Sequence, residues 1–394
     1  MSKLEELLQG SIVELKYLED IAKIFSGGTP KTSKSEFYDG DIPWIRSGEV
    51  NFNVITSSAR NITKEGLIGS SAKLIRKNSV VLAMTGATVG RSAVIEFETS
   101  SNQSVAAIET DENFINYKYL YYFLENNYLK LKNSGQGALT SLNLAMIKKI
   151  QIPIPPIEIQ QEIVRVLDEL ISLTNQLTTE LETERQNRKK QFEYFREQLF
   201  TFEEGKAEWK SLKDVAEYSK KRINFTFLNE SNYVGVDNLL QNRGGKINSK
   251  HIPTEGNSTA FLTNNILIGN IRPYLKKIWL ADCDGGSNGD VLVINIIDKI
   301  IHHKYLYHIL SNDEFFKYNM QHAKGAKMPR GNKQKIMEYI FPIPSLAEQE
   351  RIVKLLDQLN TTHTAIEEEI TKEIKLRTQQ YEYYREKLLT FPEN

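Results

Sequence analysis

Gly86-Ala87-Thr88-Val89-Gly90-Arg91-Ser92 is the segment that comes nearest to a phosphate-cradling loop. A P-loop needs four residues between its glycines and a lysine after the second, so that backbone amides and an ammonium surround the phosphates. Here three residues intervene and Arg91 stands where lysine belongs. The segment therefore reads as a turn between two strand-like runs. G-x-S-x-G, H-E-x-x-H and G-x-G-x-x-G are missing, which removes the common hydrolase, zinc-protease and dinucleotide signatures. Pro155-Pro156 is flanked by Ile154 and Ile157, so the Asn/Asp-Pro-Pro-aromatic signature of amino-methyltransferases is missing too. His302, His303 and His308 lie in one tyrosine-rich segment, where a packing or surface role is favoured over metal ligation. One cysteine, Cys283, excludes a disulfide framework and any multi-cysteine zinc site.

The remaining residues with chemical promise suit nucleic acid. Trp44-Ile45-Arg46-Ser47-Gly48-Glu49 sets an arginine beside glycine, and Asn270-Ile271-Arg272-Pro273-Tyr274 sets one before proline, where helix is disfavoured. Lys324–Lys333 is a basic loop rich in glycine and proline, and Ser134–Ser141 is its counterpart. Arginine pairs bidentately with guanine, and asparagine or glutamine with adenine. Lysine and backbone amides suit phosphate. The candidate nucleic-acid contacts are Arg46, Ser47, Thr85, Arg91, Gln136 and Thr140 in the first half of the chain. In the second half they are Arg243, Arg272, Tyr274, Lys276, Lys327, Arg330 and Asn332.

Two long segments must position these loops. Residues 152–202 and 341–391 align without a gap at an offset of 189, with 20 identities in 51 positions. Each opens on a proline cluster, then carries about 45 residues free of glycine and proline. As a helix that is a rod of roughly 65 Å. Ile163, Leu167, Leu170, Leu177 and Leu181 alternate at steps of 4 and 3, with Thr174 inside the series. Ile352, Leu356, Leu359, Ile366 and Ile370 repeat the pattern, with His363 inside it. That is a coiled-coil seam, and the cheapest partner for each copy is the other one, packed antiparallel. Continued, the seam reaches Glu184 and Arg188, and Glu373 and Arg377. These charges either pair across the two helices or face water.

The intervening regions share a second skeleton. Val80–Ala83 and Ile266–Gly269 read as buried strands, as do Val105–Ile108 and Val291–Ile294. Tyr117–Leu124 and His303–Leu310 read as helices, and all three pairs lie at an offset of 186. Glu14–Leu18 matches Glu208–Leu212 at 194. The segment Leu4–Gly10 echoes Arg196–Gly205, which suggests a cyclic arrangement with a short N-terminal helix beside the end of the last one.

The chain has 394 residues with 50 basic and 50 acidic side chains, 40% apolar and 25% charged content. This suits a soluble protein of two domains. The balance conceals a division: residues 203–340 carry a net +5 and residues 1–150 a net +1, while each helical copy carries −3. Phosphates should meet the intervening regions. No secretory h-region and no apolar run long enough for a membrane span is present. The expected location is the cytoplasm.

Two unlike regions, each followed by a helical repeat that opens Ile-Pro-Ile-Pro and closes Tyr-Phe-Arg-Glu-Gln-Leu or its near copy, resemble the DNA specificity subunit of type I restriction–modification systems. Trp44-Ile45, Gly86–Gly90 and Gly135–Ala138 look like elements of that family's first recognition domain, whereas Arg272–Lys276 departs from the Gly-Ala-Thr-x-Gly pattern. The resemblance implies an α+β fold with two mixed α/β target-recognition domains in pseudo-two-fold arrangement. They are separated by two long helices that form an antiparallel coiled coil. The expected divisions are a recognition domain over 1–151, a helical spacer over 152–205, a second recognition domain over 206–340 and a second spacer over 341–394.

It further implies a non-catalytic chain. Each variable domain reads one half of a bipartite site on double-stranded DNA. The helices set the spacing and dock two modification (methyltransferase) subunits, and restriction subunits (translocase and endonuclease) join through these. S-adenosylmethionine and ATP with magnesium are expected on the partner subunits, and no cofactor on this chain. A coiled-coil scaffold with two protein- or ligand-binding domains is the alternative; it leaves the basic bias of the second region unexplained.

Overall fold

The computed structural model describes residues 13–135 and 141–391. The chain forms two compact units, one of residues 1–181 and 371–394 and the other of 182–370. Each combines a mixed α/β domain with portions of two long helices, Ile157–Gln198 and Leu346–Leu389. The expected helices were slightly longer, to Phe202 and Phe391. The uninterrupted helix-forming sequence explains lengths of 42 and 44 residues.

In the first unit a five-stranded sheet has the order Ala22–Ser26, Val105–Thr110, Ser79–Ala83, Ser92–Ile95, Asn53–Ile55. In the second the corresponding sheet runs Ala216–Tyr218, Val291–Ile296, Ile266–Gly269, Ile278–Leu280. The runs read as strands lie at the centres of these sheets because their apolar and β-branched side chains are buried on both faces. Tyr117–Asn126 and His303–Leu310 are helices, each with its apolar face in its own unit's core. A two-stranded ribbon closes each domain at the base of a long helix. Glu14–Tyr17 pairs antiparallel with Gln151–Ile154, and Glu208–Ser211 with Ile340–Ile343.

The seam residues nearest each domain are the most buried. Ile163 and Leu167 join the first unit's core together with Leu388 and Leu389 from the end of the second long helix. Ile352 and Leu356 join the second unit's core, where Leu199 and Phe200 pack against it. Each such side chain contributes roughly 1.5–3 kcal/mol when removed from water. Within either unit, then, the start of one long helix lies by the end of the other, and the two run antiparallel. Leu170, Leu177, Leu181, Leu359 and Ile366 are only half-buried, whereas Ile370 is buried. Within the second unit Phe192 stacks on His363 at 4.5 Å between ring centres, and Arg185 pairs with Glu367 at 3.2 Å.

Glu184, Arg188, Glu373 and Arg377, for which the sequence leaves open a pair across the helices or exposure to water, each bond within their own helix. Arg188 bonds Glu184 and Arg377 bonds Glu373, each at 2.7 Å and each four residues earlier on its own helix. The i,i+4 spacing satisfies both charges locally, so no cross-helix partner is required. The echo at Leu4–Gly10 lies outside the described residues.

Candidate nucleic-acid interface

Strand direction decides which loops share an edge. In the first unit Ala22–Ser26 and Ser79–Ala83 both run antiparallel to Val105–Thr110, with Ser26 opposite Ala106 and Ala83 opposite Val105. Both strands therefore end at the same edge of the sheet. In the second unit Tyr218 lies opposite Ile294 and Gly269 opposite Val291, so the corresponding strands also end together. Among the described residues, candidate contacts lie in the turns that follow these strand ends and in the loops bonded to them.

In the first unit a short 3-10 turn, Gly86–Thr88, follows Ala83, with Thr85 just before it and partly exposed. Thr88 Oγ1 donates to Ser47 O at 2.7 Å, which joins this turn to the loop carrying Arg46. Glu49 holds that loop by accepting from the amides of Arg46 and Ala59, both at 2.9 Å. Arg46 itself is exposed. Arg91 donates to Asn51 Oδ1 at 2.5 Å and lies over the Phe52 ring, so it supports the loop as well as bordering it. Gln136 and Thr140 lie outside the described residues.

In the second unit the equivalent turn is Pro273–Leu275. Arg272 and Tyr274 project into solvent. The amide of Arg272 donates to Pro329 O at 2.7 Å, and Ile271 pairs with Arg330, so the basic loop 324–333 is laced to the turn. Lys327 is exposed on that loop; Arg330 approaches Asp290 at 3.4 Å. Asn332 caps the helix Lys333–Met337 through its side-chain oxygen. Arg243 is engaged internally: its guanidinium donates to Ser311 O and to Asp313. Lys276 Nζ reaches the same carboxylate at 2.9 Å. Burial, with Arg196 nearby, pushes Arg243 down to about 10; burial, then Arg243, pushes Lys276 down as well. These two cations hold the turn rather than extend from it.

Two basic segments at the same edges escaped the sequence reading. Lys31-Thr32-Ser33-Lys34 is exposed after Gly27-Gly28. Its frame is fixed by Trp44, which donates to Gly28 O at 3.0 Å, and by Tyr38, which donates to Pro30 O at 2.6 Å. Backbone crowding requires the glycine here, since a Cβ on Gly27 would meet Ser101 O at 2.0 Å. Lys220-Lys221-Arg222 follows the corresponding strand of the second unit and is exposed too. The Gly-Gly pair and the basic triplet were the available signals.

Each domain is anchored to its long helix by one repeated set of contacts, placed beyond the opposite end of the sheet. Gln160 is fully buried; it accepts from the amide of Asn116 and donates to Phe114 O and Pro155 O, each at 2.9 Å. Gln349, also fully buried, accepts from the amide of His302 and donates to Ile300 O and Pro344 O. Lys118 pairs with Asp168 at 2.6 Å and Lys304 with Asp357 at 2.9 Å.

The family model described as the type I restriction modification DNA specificity domain matches residues 11–184 and again 205–376. The chain belongs to this family. It is 28% identical to the EcoR124I/EcoR124II specificity subunit of Escherichia coli, over all of this chain and 98% of that protein. It is likewise 28% identical to a putative type I specificity subunit of Haemophilus influenzae, covering 98% of both chains. Among solved structures, a chain from a study of the assembly and conformational transition of a type I R-M system superposes with a TM-score of 0.75 at 15% identity. It covers 97% of this chain and 98% of that one. The HsdS subunit of Thermoanaerobacter tengcongensis superposes at 0.62, with 14% identity and 97% of both chains covered. The repeated match to one family model agrees with the duplicated sheets and the α+β architecture of two mixed domains joined to long helices. Among the described residues no helix is long and apolar enough to cross a membrane.

Proposed function

We propose that this chain is the DNA specificity subunit of a type I restriction–modification complex, and that each sheet edge reads one half of a bipartite duplex site. The observation that carries this reading is the pair of equivalent turns with unlike residues, Gly86-Ala87-Thr88-Val89-Gly90 in one domain and Arg272-Pro273-Tyr274-Leu275-Lys276 in the other. One backbone frame with two sets of side chains suits two different half-sites. Base edges supply the specificity, and the exposed lysines beside each turn suit phosphate.

The recognition domains extend over 1–151 and 206–340, and the helical segments 152–205 and 341–394 set the distance between half-sites. A helix holds such a distance where a flexible linker does not. The helices also dock the modification subunits. Tyr194 and Phe195 on the first helix correspond to Tyr383 and Tyr384 on the second, and three of the four are largely exposed. A surface that occurs twice suits two copies of one partner, and exposed aromatics are typical of contact surfaces. The complex supplies the chemistry: S-adenosylmethionine and ATP with magnesium belong to the partner subunits, and this chain contributes recognition.

Selection of random duplexes by the chain together with its modification subunits, followed by sequencing, tests the reading. Two short motifs at constant separation are expected. Enrichment of a single undivided motif, or of none, would overturn it.

A further inference from the structure

We propose that Arg272 reads a guanine for the second recognition domain, held out by a turn that keeps strained backbone for that purpose. This rests on the DNA-reading function proposed above.

The two turns superimpose in their hydrogen bonds. Ala83 N donates to Arg91 O at 2.9 Å, and Gly269 N donates to Lys277 O at 3.0 Å. Val89 N donates to Gly86 O at 3.2 Å, and Leu275 N donates to Arg272 O at 2.9 Å. The dihedrals agree as well. Gly86 and Gly90 have φ of +83° and +80°, while Arg272 and Lys276, at the same two points, have +53° and +51°. Glycine is the ordinary occupant of left-handed backbone, because other L residues crowd their Cβ there. The second domain places a long cationic side chain at both positions.

Lys276 has an internal reason to be there. Its ammonium reaches Asp313 and its carbonyl accepts from the amide of Arg243. Arg272 has none. Its side chain is exposed, and no hydrogen bond or ion pair of its guanidinium is found among the described residues. Its backbone is nevertheless held on both sides, by the bond to Pro329 O and by the fixed φ of Pro273. A strained residue with a free side chain on a rigid base is the mark of a site kept for function. A fork of N–H donors presented in this way fits O6 and N7 of guanine. Tyr274, next to it and exposed, offers a flat surface beside the same base.

The test uses the full chain with its modification subunits, random-duplex selection and thermal melting. Arg272→Gly should melt roughly 2–4 °C higher, since it releases the strain. It should also lose discrimination for one guanine in one half-site by roughly 10- to 100-fold, with the other half unchanged. Arg272→Lys keeps charge and strain, so it should melt like the parent yet lose the same guanine. A lower melting temperature for Arg272→Gly, or an unchanged motif in either variant, overturns the proposal. If the parent selects no bipartite motif, the wider function fails; if the parent selects one and both variants keep it, only the assignment to Arg272 fails.

Discussion

Glu125 accepts a hydrogen bond from Arg385 at 2.7 Å and so ties the helix Tyr117–Asn126 to the end of the second long helix. Both side chains are largely buried, and Tyr381 lies at 3.5 Å from the same carboxylate. The second unit keeps the arginine, Arg196, but has Ser311 where Glu125 stands, at a distance of 2.8 Å. Burial pushes Glu125 above the ordinary carboxylate range, against the pull of Arg385. Removing one partner strands the other, so the two losses are less than additive. Glu125→Ala should cost about 2 kcal/mol, with a coupling of about 1 kcal/mol to Arg385→Ala. Urea denaturation of the two single variants and the double variant measures this; strict additivity would contradict it.

The corresponding contacts of the second unit predict acid sensitivity. His308 is buried, and burial first, then Arg196, pushes it from 6.5 down to about 4 despite Asp357. Its Nε2 lies 3.5 Å from Asp357 Oδ1. The unfolded chain therefore takes up a proton before the folded one does. Stability from this group is full above pH 6.5 and is lost as pH falls toward about 4. The loss is on the order of 3 kcal/mol. Tyr122 occupies the equivalent place in the first unit and donates to Asp168 at 2.5 Å. His308→Tyr should flatten the decline of the unfolding midpoint across this range; an unaltered slope counts against His308 as its source.

Exchange of residues 206–340 for the corresponding region of another family member should change one half-site and leave the other and the separation intact. The buried Gln349 contact explains why: it joins the domain to the helix through main-chain carbonyls and an amide, which any sequence supplies. Sequencing of methylated sites reads the outcome, and a change in both halves refutes independent reading.

Lengthening both long helices by one heptad, about 10 Å of rise, should widen the separation between half-sites and preserve their sequences. A heptad keeps the apolar seam in phase. Altered half-site sequences at constant separation would sink the spacing role of the helices.

Much of this organisation was legible in one dimension. The 3.5-residue apolar period and the absence of glycine and proline specify long paired helices, because helix formation and seam burial depend on near neighbours. The repeat at 189 and the family pattern were equally plain, and the short strands followed from β-branched runs. Tertiary structure decided the rest. Ser26 and Ala83 lie 57 positions apart, and only the strand order brings their loops to one edge. Arg243 meets Asp313 across 70 positions, which turns a candidate reader into a support for the turn. Arg272 and Lys276 adopt backbone that sequence preference assigns to glycine. Such contacts span long loops, and such strain is held in place by the surrounding structure, so neither leaves a local signature in the order of residues.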